Sequence, residues 1–164
     1  MKKIITLILF VISLDSCNYP GNGSLGGWDI IVFPMEEKAM DSTLTLFYQK
    51  YPQFNVPSEK NYIVNYWKEG GYGFLKGMFF YFEESSTLRA YYVTYIDAGF
   101  MVEKPEYARI SLRAVYNEDE DRWSTFDDFK KIEQDHIREN FNKDIILRIE
   151  KLSKQRSYIQ PKDY

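Results

Sequence analysis

Residues 106–116, EYARISLRAVY, alternate between apolar and polar side chains, and this alternation constrains the fold more than any other feature of the chain. Because successive side chains of a β-strand point to opposite faces of a sheet, the pattern predicts a strand with one buried and one wet face. The buried face would carry Ala108, Ile110, Leu112, Ala114 and Tyr116, and the wet face Arg109, Ser111 and Arg113. A sheet that is covered on one face only is typically antiparallel.

Three earlier segments, residues 61–68, 73–83 and 87–97, are also predicted to form strands, because they are rich in Tyr, Phe, Val and Ile. The glycines of KEGGYGFLKG are expected in a hairpin turn, since a phosphate-binding loop needs a helix after the strand. Together with residues 106–116, these segments predict a four-stranded antiparallel meander. Residues 28–33, WDIIVF, are consistent either with a further strand or with a packed lead-in.

Two segments show the 3–4 residue spacing of apolar side chains that is typical of amphipathic helices. The first is residues 35–51, which Pro52 ends, and the second is residues 126–154. The second segment is one long helix, or two helices with a break near residues 140–142. Helix, meander and long helix predict an α+β fold, a two-layer sandwich with both helices on one face of the sheet. The other face would then be exposed.

Aromatic side chains are unusually frequent, with 14 Tyr, 12 Phe and 3 Trp, and they suggest a binding surface. The exposed sheet face predicted above would carry basic and aromatic residues. The candidate binding residues are Tyr91, Tyr92, Arg109 and Arg113. The alternative is that the aromatic residues fill both faces of the sheet and pack under loops.

The first residues of the chain form a separate element. Lys2 and Lys3 precede an apolar run over residues 4–12, which has the length of a secretory signal and is too short to span a bilayer. The run is followed by Leu14-Asp15-Ser16-Cys17, and Cys17 is the only cysteine. These residues resemble the lipobox of bacterial lipoproteins, with Leu three positions before an obligate Cys and a small residue directly before it.

The resemblance implies that residues 1–16 are a signal peptide and that Cys17 becomes the acylated N-terminus of a lipid-anchored envelope protein. Two or more acyl chains would give stable anchoring without a membrane-spanning helix. Residues 17–27 would then include a glycine-rich tether, residues 28–156 a single domain, and residues 157–164 a frayed tail. Asn18 follows the cysteine where Asp would signal retention at the inner membrane, so the outer membrane is the expected location.

Two groups of polar residues resemble patterns found in catalytic or metal-binding sites. His136, the only histidine, lies beside Asp135 in the pattern of a general base and its orienting carboxylate, although a solvated helix position is the simpler reading. The acidic run at 117–121 has spacing similar to a calcium-binding loop, but Arg122 occupies the glycine position, which favours an ordinary acidic loop. No metal or cofactor is therefore expected.

The function expected from these features is a non-enzymatic, membrane-anchored envelope lipoprotein whose domain binds a protein or another macromolecule, with toxin neutralisation of the immunity type as one version. A net charge of −3 gives no reason to expect nucleic-acid binding. The alternatives are a carbohydrate-binding module or an envelope glycan hydrolase, which would use two carboxylates. The candidate carboxylates are Glu83, Glu84, Asp97 and Glu103.

Overall fold

An antiparallel sheet forms the centre of the computed structural model, which describes residues 27–73, 75–83, 88–96 and 106–160. Its six described strands are β1 (Ile30–Phe33), β2 (Gly77–Tyr81), β3 (Leu88–Tyr95), β4 (Ala108–Asn117), β5 (Arg122–Ser124) and β6 (Tyr158–Ile159). The order across the sheet is β2–β3–β4–β1–β6, and β5 also pairs with β4. The predicted combination of helices with an antiparallel sheet is confirmed, but a four-stranded meander is wrong.

Four α-helices accompany the sheet in the described part of the chain: α1 (Glu37–Lys50), α2 (Asn61–Trp67), α3 (Lys131–Phe141) and α4 (Leu147–Ser153). Helix α1 confirms the helix predicted over residues 35–51. A π-helical turn, Asn142–Ile146, joins α3 to α4, so the second predicted helix is interrupted just beyond residue 141. No helix within the described ranges is long and apolar enough to cross a membrane.

Helix α2 replaces the strand predicted over residues 61–68, and that prediction is wrong. Its buried side chains are Ile63 and Trp67, which lie four residues apart and therefore share one face of a helix. Tyr62 and Tyr66 lie on its exposed side. The glycines that follow do not form a hairpin turn, because helical residues precede them and the chain kinks at Gly71, where φ is +84°.

A β-bulge in β4 changes which side chains share a face. Tyr92 pairs with Ala114 and Val93 pairs with Leu112, so Arg113 is an extra residue opposite β3. The side chains of Ala108, Ile110 and Leu112 join the main core, as predicted. Ala114 and Tyr116 instead pack in clusters on the opposite face, and the prediction that all five share one face is wrong.

The two faces of the sheet are both covered by helices. We call one side of the sheet the helix face, because three helices, α1, α3 and α4, pack on it and form the main core of the domain with it. Its side chains include Tyr91, Val93, Ile110 and Leu112. The aromatic face carries Phe79, Tyr81, Tyr92, Tyr116 and Trp123, and Ile63 and Trp67 of α2 pack on it. The predicted two-layer arrangement with one exposed face is therefore not confirmed.

Residues 157–160, which were expected to fray as part of a tail over 157–164, contribute to the sheet. Strand β6 pairs with β1, and the Gln160 N–H donates to the Ile30 carbonyl oxygen at 2.9 Å. Ser157 donates from its backbone N–H and its hydroxyl to the Glu150 carboxylate, at 2.8 Å each. These bonds tie the segment to α4. Residues 161–164 of the predicted tail lie outside the described residues.

Candidate functional site

The two candidate tyrosines, Tyr91 and Tyr92, are adjacent on β3 and therefore point to opposite faces of the sheet. Tyr91 lies on the helix face and is only 4% exposed, with its ring centroid 4.7 Å from that of Phe82 and 5.9 Å from that of Phe141. Burial and, to a smaller extent, the negative charge of Asp144 raise the pKa of the Tyr91 hydroxyl. Tyr91 is thus not part of an exposed sheet face, which corrects that expectation.

Tyr92 lies on the aromatic face and is 2% exposed. Its ring is stacked on Phe79 at 4.6 Å and lies 4.6 Å from the ring of Trp67. The Arg113 guanidinium lies 5.9 Å from the same Trp67 ring, so the structure brings Tyr92 and Arg113 into one cluster. Burial raises the pKa of Tyr92, and the positive charge of Arg113 partly opposes that effect. This cluster is packed beneath α2 and is not a wet surface.

Arg109 occupies a different part of β4, opposite Val32 of β1, and is half-buried. Within the described part of the chain, its Nη1 atom is buried and makes no hydrogen bond. The four candidate residues therefore do not form a single surface. One joins the main core, two join the aromatic cluster, and Arg109 lies towards the β1 side of the sheet.

The acidic loop between β4 and β5 forms salt bridges with Lys and Arg side chains of the same domain. The Glu118 carboxylate accepts a hydrogen bond from Arg89 Nε at 2.5 Å and another from Lys60 Nζ. The Lys60 and Arg89 contacts hold the pKa of Glu118 below its ordinary value. The Tyr116 hydroxyl donates to Asp121. The structure contains no group of three or more His, Cys, Asp or Glu side chains that could hold a metal ion, as far as its described residues extend.

His136 is exposed on α3, and its neighbour Asp135 is engaged elsewhere. The Asp135 carboxylate accepts hydrogen bonds from Lys131 Nζ at 2.5 Å and from Arg138 Nη1 at 2.9 Å. Lys131 and Arg138 together keep the pKa of Asp135 below its ordinary value. The carboxylate that would orient His136 as a general base is therefore bound by two cations.

A groove of about 410 Å³, called here the edge groove, lies between the sheet and the helices at the β6 side. Ile31 and Ile159 line it from the paired strands β1 and β6, and Phe141 and Ile146 line it from the helical side. Trp28 also lines the groove; it is 4% exposed, and its Nε1 atom has no hydrogen-bond partner among the described residues.

The rim of the edge groove is partly apolar and partly charged. Tyr158 and Ile159 are 51% and 62% exposed. Arg138 Nε donates to the Asp29 carboxylate at 2.9 Å, and both residues line the groove. The guanidinium also lies 5.8 Å from the ring of Trp28. The groove therefore offers an apolar wall next to an ion pair and beside the last described strand of the sheet.

A second cavity of about 500 Å³, called here the carboxylate cleft, lies next to the π-helical turn Asn142–Ile146. The end of β2 and the start of β3 form its other side. Its lining combines four aromatic rings with two carboxylates and two amides. These residues are Phe54, Tyr81, Phe82, Tyr91, Glu83, Asp144, Gln53 and Asn140. Of the four candidate catalytic carboxylates, Glu83 lines this cleft, and Glu84, Asp97 and Glu103 lie outside the described residues.

Two residues at these cavities were missed by the sequence reasoning. Ile159 lies in a tail that Pro161 suggested would fray, although the short apolar pair at 158–159 is a weak strand signal. Asp144 lies inside a predicted long helix, where an acidic side chain looks like ordinary solvated surface. No family model, curated protein or solved structure matches this chain.

Proposed function

We propose that this chain is a non-enzymatic lipoprotein of the bacterial cell envelope, anchored in a membrane through acylated Cys17, and that its domain binds a protein partner. The anchor rests on the sequence of residues 1–17, which lie outside the described residues. The observation that supports partner binding best is the edge groove, because it adjoins an unpaired strand edge and exposed apolar side chains.

The strand edge provides main-chain hydrogen-bonding groups for a partner. Strand β6 pairs with β1, and no other described strand pairs with it. Edges that must stay free in solution are usually protected by being very short, by charged residues or by proline. Strand β6 is only two residues long, but both of its side chains, Tyr158 and Ile159, are exposed and apolar enough to contact a partner. An extended peptide that pairs with β6 would add a strand to the sheet.

The groove provides the specificity for such a peptide. Alternate side chains of an added strand would point to the helix face, as Ile31 and Ile159 do. Apolar side chains at those positions would enter the edge groove against Phe141 and Ile146. We therefore take the partner to be a protein that offers an extended segment with apolar residues at every second position.

Photo-crosslinking in intact cells tests partner binding. With p-benzoylphenylalanine at position 158, we expect one discrete protein adduct, which is lost when Ile159→Asp places a charge on the rim. The matched control is Ile132→Asp, since Ile132 is 65% exposed on α3 and does not line the groove. An adduct that survives Ile159→Asp, or that Ile132→Asp removes equally, would contradict the proposal.

The anchor is tested separately by the intact mass of protein extracted from membranes. We expect the wild-type chain to have lost residues 1–16 and to have gained the mass of a diacylglyceryl group, because Cys17 is the acylated residue in the lipobox reading. Cys17→Ala should show neither change and should leave the membrane fraction. An unmodified Cys17 in membrane-bound wild-type protein would refute the lipid anchor. The proposal that the edge groove binds a partner would not be affected.

A further inference from the structure

The carboxylate cleft has a chemical character that suits a positively charged ligand. Two carboxylates, Glu83 and Asp144, line it, and none of the described residues lining it is Lys, Arg or His. The remaining polar lining consists of neutral amide groups and tyrosine. The cleft is therefore acidic at its polar positions, in contrast to the edge groove, which contains Arg138.

The aromatic rings of the cleft form a continuous series. The ring of Phe82 lies 4.7 Å from that of Tyr91 and 5.3 Å from that of Phe54, with the second pair edge-to-face at 82°. The face of an aromatic ring carries partial negative charge and attracts cations that lie within about 6 Å of its centre. The rings and the carboxylates of the cleft therefore both favour a positively charged ligand.

The protein already holds one cation by this combination of groups. The Arg148 guanidinium lies 5.5 Å from the ring of Phe54 and 5.1 Å from the ring of Tyr51. Its Nη2 atom is 3.7 Å from Asp144 Oδ1. Arg148 is not itself part of the cleft lining, so it binds Asp144 and Phe54 from outside the cavity.

We propose that the carboxylate cleft binds a small organic cation of the quaternary ammonium type. The half-buried ring of Phe82 would contact its alkyl groups, with the buried rings of Phe54 and Tyr91 behind it, and Glu83 and Asp144 would balance its charge. The wall of the cleft is largely aromatic and apolar, which favours a weakly hydrated cation over a strongly hydrated primary amine or metal ion. This site is distinct from the edge groove and does not depend on the proposed partner.

Titration with choline and with its uncharged isostere, 3,3-dimethylbutan-1-ol, tests the proposal. Both probes have the same shape, so a difference in affinity reports the charge. We expect choline to bind at least about fivefold more tightly, since cation–π contacts and a nearby carboxylate act only on the charged probe. Chemical shift changes in an NMR titration would give both affinities on the same sample. Equal affinities, or no saturable choline binding, would overturn the proposal.

Two variants with opposite expected effects make the test independent of misfolding. Asp144→Asn should weaken choline binding by about threefold or more, because it removes one balancing charge. Arg148→Met should strengthen choline binding, because it frees Asp144 from its internal cation while keeping an apolar side chain over Phe54. Asp127→Asn, at an exposed position outside the cleft lining, should change nothing. Weaker binding in Arg148→Met would contradict the assignment.

Discussion

Replacing Trp67 with alanine is expected to lower the free energy of unfolding by about 3–5 kcal/mol. Trp67 is 9% exposed, and its ring lies 4.6 Å from Tyr92 and 5.6 Å from Trp123 on the aromatic face. Its removal would leave a cavity beneath α2 and uncover rings that have no other helix over them among the described residues. Urea unfolding followed by far-ultraviolet circular dichroism measures the loss.

Tyr66 provides the control for this substitution, since it precedes Trp67 on the same helix and is 57% exposed. Tyr66→Ala should change the free energy of unfolding by no more than about 0.5 kcal/mol. If both variants lost the same stability, the contribution of Trp67 would come from helix formation rather than from burial. Covering the aromatic face would then not be the main role of α2.

Phe47→Ala is expected to have an effect of similar size, about 3–5 kcal/mol, because it opens the main core. Phe47 is fully buried on α1, and three rings lie within 5.4 Å of its centroid: Tyr51 at 5.2 Å, Phe80 at 5.3 Å and Phe54 at 5.4 Å. Tyr51 and Phe54 lie in the turn after α1 and Phe80 lies on β2, so the cavity cannot close by the movement of one side chain. The midpoint of urea unfolding should fall without a change in slope.

Leu46→Ala supplies the comparison at the adjacent position, where the side chain is 51% exposed. Leucine and alanine have similar helix propensities, so a loss below about 1 kcal/mol is expected. A loss as large as that of Phe47→Ala would show that the two positions are equally buried, in conflict with the packing of α1 on the sheet.

Periodicity in the sequence predicted most of the elements, and the exceptions have local physical causes. The segment NYIVNYWK has the composition of a strand, but Ile63 and Trp67 contact the aromatic face only because helical spacing places them together. Tertiary packing therefore outweighed intrinsic preference in α2. In β4, one extra residue at Arg113 reverses the facing of Ala114 and Tyr116, and an alternating sequence carries no mark of such a bulge.

The candidate sites were less accessible to sequence reasoning than the fold. The edge groove joins Trp28 and Ile31 to Phe141 and Ile159, and no periodic pattern links residues so far apart in the chain. The carboxylate cleft likewise brings Asp144 next to Tyr91. The sequence did indicate aromatic residues near Arg113, and that proximity is found, but within a packed cluster rather than on a surface.

Strand β6 also determines when the edge groove can exist. It pairs with β1, so the two strands come from opposite ends of the described domain and meet across almost its whole sequence. Contacts of such long sequence separation form late in folding, and a two-residue strand opens at a low free energy, so its amide protons should exchange early. A domain in which β6 has not docked would keep the residues of the main core and lack one wall of the groove. The groove therefore forms only when β6 docks on β1, so its display depends on the completion of folding.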